Sequence, residues 1–270
     1  MPATNISVLS VKVLTIAGAI QMTANDINDY GQVVGQFTDP GGVAHGFVYE
    51  EESFCQLDYP GATATEILGI NNLGQMVGMF TTLNATSGFL YDRGTFSPPL
   101  TYPGAGNFTV PNGINDRGEI VGVYQDAVPG EHSFLYKAGK YQALVYPGAK
   151  EIGAQGISNS GLVVGDFPDA KGTHGFVYLE NVGVFTPALD CPNGTVTALR
   201  GISNGGQIVG GCVDAQGNEH PFLYMAGALN PILIPGAISA SANGINDRGQ
   251  VVGNFQTAGG TQSYVAAIRV

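Results

Sequence analysis

The feature that most constrains this 270-residue sequence is a motif that returns six times at a nearly constant interval. Its clearest copy reads GINDRGEIVGVY, from Gly113 to Tyr124. The copies end on Gly35, Gly78, Gly122, Gly165, Gly210 and Gly253, at intervals of 43, 44, 43, 45 and 43 residues. Periods of roughly 20 to 50 residues are typical of solenoids and propellers. We therefore expect residues 1–270 to form a single repeat domain.

Each repeat predicts four short antiparallel strands separated by turns. In the third copy the strands are expected at 109–114, 119–124, 132–136 and 141–146. The first two are joined by Asn115, Asp116, Arg117 and Gly118, residue types that favour a tight hairpin. The repeat therefore predicts an all-β chain built from four-stranded units of about 43–45 residues.

The two ends of the chain match complementary parts of one unit. The last copy has three expected strands and stops, whereas residues 8–16 resemble an isolated fourth strand. Pairing the two would remove two open sheet edges. We therefore expect a six-bladed β-propeller in which residues 8–16 form the outer strand of the sixth blade. An open β-solenoid or another closed β-repeat is the alternative.

The repeat resembles the bacterial extracellular repeats called HAF, named after a His-Ala-Phe triplet. The triplet positions read His45-Gly46-Phe47, Ser87-Gly88-Phe89, His132-Ser133-Phe134, His174-Gly175-Phe176, His220-Pro221-Phe222 and Ser263-Tyr264. The middle Ala is never present and two copies lack the His, while the Asn-Asp-x-Gly-x-Val-Val-Gly half matches better. The resemblance spans the chain and implies a secreted or cell-envelope repeat protein. It supplies no catalytic residues.

Charge and hydropathy exclude some classes of partner. With 10 basic and 21 acidic side chains the net charge is −11, which repels phosphate backbones and anionic membranes. No apolar run approaches the roughly 20 residues needed to span a bilayer. Lys12 interrupts the apolar N-terminal stretch, so we predict no secretion signal within this chain. We expect neither nucleic-acid binding nor membrane insertion.

Two cysteines stand where other copies carry aromatic residues. Cys191 replaces the Tyr of Tyr-Pro-Gly, and Cys212 replaces the aromatic residue after Val-Gly-x. Two matched replacements at positions expected to touch predict a disulfide, which favours an oxidising compartment. Cys55 is left over and is expected to be a buried thiol.

The four histidines and the Asn-Asp pairs suggest metal sites, but a structural role explains them better. His45, His132, His174 and His220 share a repeat position too far from the axis to meet there, and each is expected to bond a loop carbonyl. The Asn-Asp turns lack the further carboxylates of a calcium loop. We predict no metal and no cofactor.

One repeat position has no evident structural duty and varies between copies, as a ligand site would. It lies two residues before the Ile of the first strand and carries Asn25, Leu68, Asn112, Gln155, Arg200 and Asn243. Near the mouth of a central channel, these amides and the guanidinium are expected to bind a small polar or anionic molecule. The alternative is that they only hydrate the channel.

Three functions remain open on the sequence alone. The first is a secreted binding or surface-interaction module for a small polar molecule, a glycan or a protein surface. The second is a hydrolase or lyase in which Arg200 binds an anion and Glu66 or Asp26 is the base. The third is a lectin using Tyr59, Tyr102 and Tyr146, because the chain has no Trp.

Overall fold

All regular elements in the described part of the chain are β-strands. The structure is a computed structural model that describes residues 6–192 and 194–269. Within those ranges no helix is long and apolar enough to cross a membrane. Four strands, here called a, b, c and d in chain order, recur in each repeat unit.

The first three units follow one another in the chain. Unit one comprises β2 (Gln21–Ile27), β3 (Val33–Thr38), β4 (Ala44–Glu50) and β5 (Ser53–Gln56). Unit two comprises β6 (Ala64–Ile70), β7 (Met76–Thr81), β8 (Thr86–Asp92) and β9 (Thr95–Phe96). Unit three comprises β10 (Phe108–Ile114), β11 (Ile120–Gln125), β12 (His132–Lys137) and β13 (Lys140–Leu144).

The later units repeat the pattern, and the last one uses the N-terminal strand. Unit four comprises β14 (Gly153–Ile157), β15 (Leu162–Asp169), β16 (Gly172–Leu179) and β17 (Val184–Phe185). Unit five comprises β18 (Val196–Ile202), β19 (Ile208–Val213), β20 (Glu219–Met225) and β21 (Ala228–Pro231). Unit six comprises β22 (Ser239–Ala240), β23 (Gly244–Ile245), β24 (Gln250–Thr257), β25 (Gly260–Arg269) and β1 (Ser7–Leu14).

The strand expected at residues 8–16 corresponds to β1. It pairs antiparallel with β25, from Ser7 opposite Arg269 to Leu14 opposite Ser263. The unit begun at the C-terminal end of the chain therefore takes its outer strand from the N-terminal end.

Strands b and c are buried on both faces, as their unbroken apolar sequences predict. Val33 and Val34 are both fully buried, although consecutive strand residues point to opposite faces. Their partners belong to different units, since Val33 packs with Ala24 and Ile27 of its own unit and Val34 packs with Ile67 of unit two. The hydrophobic core therefore lies between neighbouring sheets.

The glycine that closes each Val-Gly motif is required by packing. A Cβ on Gly122 would overlap the carbonyl oxygen of Val110 and lie 3.0 Å from the ring of Phe134. The glycine of the Gly-Ile step in strand a is also confined, because a Cβ on Gly113 would lie 2.7 Å from the Gln155 carbonyl oxygen. Both glycines let backbones of adjacent strands or units approach closely.

The predicted disulfide between Cys191 and Cys212 is confirmed, with a Cα–Cα distance of 5.8 Å. At three other junctions the equivalent positions hold stacked rings. The centroids are 3.7 Å apart for Tyr59 and Phe80 and 3.6 Å apart for Tyr102 and Tyr124. The disulfide therefore takes the place of an aromatic stack between the segment after strand d of one unit and strand b of the next.

The expectation of a buried thiol at Cys55 is wrong. Cys55 is exposed on β5, the outermost strand of unit one. Its neighbour Phe54 packs on the core of that unit. Because side chains alternate along a strand, the thiol must face the other way, where no further strand covers it.

Candidate functional site

A cavity lined by residues of all six units, here called the channel, has the hairpin turns between strands a and b at one end, and these turns form a hydrogen-bonded network. The residue after the Asn or Ser of each turn accepts a backbone N–H from the preceding unit, as Asn72 does from Asp29 at 2.8 Å and Asp116 does from Asn72 at 2.8 Å. The series ends where Asp29 accepts the N–H of Asp247 at 2.8 Å. These side chains join units, which explains the Asn-Asp turns without a bound ion. No group of three or more His, Cys, Asp or Glu side chains in the described ranges is arranged to hold a metal.

The other end of the channel carries a small cavity, here called the vestibule. It has a volume of about 200 Å³ and is lined by Asn25, Leu68, Asn112, Gln155, Arg200 and Asn243. The structure thus brings together the six residues that the repeat comparison selected, one from each unit.

These residues project into the vestibule because strand a is bulged there. The pairing of strands a and b shifts register around Asn25, Leu68, Asn112, Gln155 and Arg200. Asn243 lies in the corresponding break between β22 and β23. A bulge leaves one residue unpaired and redirects its side chain, and bulges are common beside active sites.

Three of the vestibule side chains also hold neighbouring units together. The amide nitrogens of Asn25, Asn112 and Asn243 each donate to a carbonyl oxygen of the next unit at 2.9 Å. The acceptors are Ile67, Ala154 and Ala24. These asparagines therefore have the structural duty that the sequence did not reveal, while no donor among residues 6–192 and 194–269 reaches their Oδ1 atoms.

Charge is concentrated on one side of the vestibule. Arg200 forms an ion pair with Glu219, and the two side chains are 30% and 21% exposed. Burial raises the pKa of Asp166 to about 6, although the positive charge of Arg200 lowers it; Glu131 raises it further. Burial, followed by the charge of Glu151, raises the pKa of Glu131.

Gly153 is enclosed by polar groups in this charged sector. A Cβ at Gly153 would lie 3.2 Å from Nε2 of Gln155 and 3.5 Å from Oε1 of Glu131. Gln155 itself makes no side-chain hydrogen bond to the part of the chain that the structure describes. The Gln155 amide and the Glu131 carboxylate therefore lie close to each other at Gly153, with no room for a side chain between them.

The two carboxylates expected to be bases have different surroundings. Burial raises the pKa of Glu66, and the hydrogen bond from Asn25, at 3.0 Å, opposes that shift. Asp26 replaces the glycine of the other units and accepts the N–H groups of Ile27 and Ile70, each at 2.9 Å. Burial raises the Asp26 pKa to about 7. Both Asp26 oxygens accept hydrogen bonds from the backbone, one within unit one and one from unit two, so Asp26 links the two units.

The histidines bond carboxylates more often than the loop carbonyls we expected. Nδ1 of His174 lies 2.5 Å from Asp190 and Nε2 lies 2.9 Å from Asp169, and Nε2 of His220 lies 2.8 Å from Asp214. His45 lies between Asp58 and Asp39, at 2.8 and 3.5 Å. Only His132 accords with the expectation, bonding the Val128 carbonyl at 3.2 Å.

The His–Asp pairing has a signal in the sequence. The units with His carry Asp two residues after the strand b aromatic or Cys212, at Asp39, Asp126, Asp169 and Asp214. The units with Ser87 and Ser263 carry Thr82 and Thr257 there. Comparing the two positions unit by unit would have paired them.

Sequence reasoning missed Glu131, Asp166 and Glu219 as vestibule neighbours. Asp166 follows the Val-Gly step, where other units have Gln36, Met79, Val123, Gly211 and Asn254. Glu131 and Glu219 each directly precede a triplet His. Their acidity is a departure from the repeat, but only the packing of units places Glu219 and Asp166 beside Arg200 and Glu131 beside Asp166.

The tyrosines considered for a lectin are engaged in packing. Tyr146 stacks on Phe167 at 4.0 Å and meets the edge of Phe185 at 5.1 Å. Tyr59 and Tyr102 are stacked in the same way. Their stacked faces are covered by protein, so they do not form open platforms for sugars.

Comparisons with known sequences identify no family. No family model matches the chain. No curated protein matches it either.

Comparisons with solved structures find propellers. Virginiamycin B lyase from Staphylococcus aureus matches with a TM-score of 0.53 and 13% identity, covering 97% of this chain and 99% of the lyase. A mutant of the Aleuria aurantia lectin AAL, in complex with Fucα1-6GlcNAc, matches with a TM-score of 0.58 and 13% identity, covering 96% of this chain and 97% of the lectin. The β-propeller domain of the Trilobed protease from Pyrococcus furiosus matches with a TM-score of 0.58 and 14% identity, covering 93% of this chain and 79% of that domain. At these identities the likeness concerns the fold alone, and that fold is the β-propeller.

Proposed function

We propose that this chain is a six-bladed propeller, closed by its N-terminal strand, that binds a small polar molecule in the vestibule. Closure is supported by contacts between unit six and unit one. Asn243 donates to the Ala24 carbonyl and Asn246 to the Asn28 carbonyl, each at 2.9 Å. Val252 packs in one cluster with Ala24 and Ile27.

Secretion and membership of the HAF repeats belong to the same proposal. The disulfide supports an oxidising compartment, because cytosolic thiols are kept reduced. The triplet positions and the Asn-Asp-x-Gly-x-Val-Val-Gly half of each repeat support the family.

The observation that carries the binding function is the vestibule itself. Six units each supply one bulged side chain to one cavity, and four of the six carry an amide at that position. A concave site with a few convergent polar groups is the usual form of a small-molecule site. Its volume of about 200 Å³ lies below the roughly 300–1,000 Å³ of drug-sized pockets, which favours a small metabolite.

Gln155→Leu is the variant that tests this proposal, because the Gln155 side chain makes no hydrogen bond to residues 6–192 or 194–269 and unit two already carries Leu68 at this position. Thermal unfolding would be followed by circular dichroism with a panel of small polar metabolites. A ligand at 100 times its Kd stabilises by about 2.7 kcal/mol, which raises Tm by roughly 5–10 °C at this size. We expect such a shift in the native chain and its loss in the variant.

The matched control is Gln207→Leu, which makes the same change at a loop beside the opposite end of the channel. It should keep the shift. A ligand that raises Tm equally in the native chain, Gln155→Leu and Gln207→Leu binds outside the vestibule, and that result would contradict the proposal.

An enzyme is the second candidate, and Asp166 is the observation that favours it. A carboxyl with a pKa of about 6 beside a guanidinium suits a general base near neutral pH. If the protein is a lyase or hydrolase, turnover should rise with pH through about 6 and fall by two or more orders of magnitude in Asp166→Asn. Turnover retained in Asp166→Asn with an unchanged pH profile would remove Asp166 from that role.

A further inference from the structure

The asparagine oxygens of the vestibule indicate what kind of ligand it recognises. A backbone carbonyl can only accept a hydrogen bond, so the atom facing Ile67, Ala154 or Ala24 must be the amide nitrogen of Asn25, Asn112 or Asn243. The amide oxygen is then directed away from that carbonyl. The amides are held in this orientation before any ligand arrives.

We infer that the vestibule recognises a polyhydroxylated small molecule, a sugar or a sugar acid, through these oxygens. The inference rests on the binding function proposed above. The three asparagines belong to units one, three and six, so their acceptors are spread around the wall of one cavity. A ligand that satisfies all three must carry donors at several points of its perimeter, as a polyol does.

The remaining lining distinguishes a polyol from an amine. Arg200 supplies only hydrogen-bond donors to the wall, and a hydroxyl oxygen can accept from them whereas an ammonium group cannot. The Gln155 amide bonds no side chain or backbone group of the described residues, so it offers both donors and an acceptor, and a hydroxyl group matches it because it donates and accepts. Leu68 supplies one apolar stretch of wall, suited to the C–H face of a sugar ring.

The charged sector decides between neutral and acidic polyols. Arg200 is already paired with Glu219, so an acidic ligand has to compete for it. The variant Arg200→Gln/Glu219→Gln removes both charges together. It should weaken binding of a sugar acid and leave a neutral sugar bound.

The experiment is titration calorimetry with defined probes. The neutral probes are D-glucose, D-galactose, D-mannose and L-fucose, the acidic probes are D-gluconate and D-glucuronate, and the controls without hydroxyl groups are butyrate and butylamine. We expect at least one polyol to bind the native chain and neither control to bind. Asn112→Leu and Gln155→Leu should each weaken that polyol by about tenfold or more, which is the effect of one hydrogen bond to a bound ligand.

Gln155→Leu keeps the test decisive if Asn112→Leu does not fold, because Gln155 has no internal bond to lose. Binding of only butyrate or butylamine, abolished by Gln155→Leu, would overturn the polyol inference and leave a binding vestibule. A polyol that binds the native chain and both variants equally would overturn the inference and place the binding elsewhere. Failure of every probe would overturn the inference, and the separate metabolite panel then decides whether the vestibule binds at all.

Discussion

Single residues that depart from the repeat mark the vestibule. Asp26, Asp166 and Arg200 each replace a residue type found in other units, and each lies in the channel or beside its mouth. Asp26 has a structural role, because it links units one and two. The Asp166 carboxyl is buried with a raised pKa, which costs stability at neutral pH, and the other units carry no acid at this position. We therefore explain Asp166 by function.

Asp166→Asn tests that cost. The folded-state pKa of about 6 lies above the ordinary value of 3.8, so the folded chain holds the proton more tightly than the unfolded chain. Stability from this group is highest below about pH 4 and falls as the pH rises to about 6. The variant should gain Tm over the native chain at pH 7.5 and show no gain at pH 4. An equal difference at both pH values would exclude titration as its cause.

His174 should affect stability with the opposite pH dependence. The hydrogen bond to Asp190, followed by that to Asp169, raises the His174 pKa above 6.5. This stabilisation is present below the unfolded-state value and is lost as the pH rises through the folded-state value. A backbone N–H from Lys171, followed by His174, lowers the pKa of Asp169, whose contribution disappears in acid.

His174→Ser, which introduces the residue of units two and six, should therefore cost more Tm at pH 5.5 than at pH 8.5. His220→Ser is a comparison at the same repeat position, with one carboxylate partner instead of two. A cost for His174→Ser that does not change with pH would contradict the ion-pair explanation.

At the scale of elements, the contacts between units use interchangeable chemistry. Where three junctions between units stack two aromatic rings, the junction of units four and five has a disulfide between Cys191 and Cys212. Both connect the segment after strand d of one unit with strand b of the next, and the unit-by-unit comparison of sequence was sufficient to predict the cross-link. The side on which Cys55 lies was not predictable, because a short outer strand has no further neighbour to cover its second face.

Cys191→Tyr/Cys212→Phe should restore the stack and keep the fold. Closing a loop of 21 residues contributes about 3 kcal/mol on the chain-entropy model. Both proteins would carry Cys55→Ser, so that no other thiol is present. Reductant should lower the unfolding free energy of the protein that keeps the disulfide by that amount. It should not change the unfolding free energy of the protein that also carries Cys191→Tyr/Cys212→Phe. Equal sensitivity to reductant in both would show that the disulfide is not the cause.

The Val-Gly step should tolerate no side chain. Gly122→Ala forces a methyl group onto the Val110 carbonyl and should cost about 3 kcal/mol or more. Gly118→Ala lies in the adjacent hairpin at φ +72° with open space around it, and should cost about 1 kcal/mol. Urea unfolding compares the two, and a smaller cost for Gly122→Ala would contradict the packing explanation.

At the scale of the whole molecule, the proposed ring makes a prediction about size. A compact chain of this length has a radius of gyration of about 18 Å. An open solenoid of the same six units would be elongated and clearly larger. Small-angle X-ray scattering distinguishes the two, and a value well above that of a compact domain would contradict closure.

The pairing of β1 with β25 allows a complementary test. Ser7 lies opposite Arg269, so a short linker can join the two ends of the chain. A circular permutant made in this way, with new ends between residues 103 and 104, should keep the Tm of the native chain. Removal of residues 1–14 should instead lower Tm and promote aggregation, since β25 would become an open edge. Equal stability of the shortened and native chains would show that β1 is dispensable.

The repeat sequence alone determined the strands, the hairpins, the disulfide and the set of residues at the channel mouth. These follow from local chemistry repeated six times, so each copy checks the others. Only the tertiary structure decided that Asn25, Asn112 and Asn243 hold neighbouring units, that Glu219 and Asp166 adjoin Arg200, and that most of the histidines meet carboxylates. Those contacts join residues from different units or loops, and their distances depend on how sheets pack side by side. No single repeat encodes that packing in its own pattern.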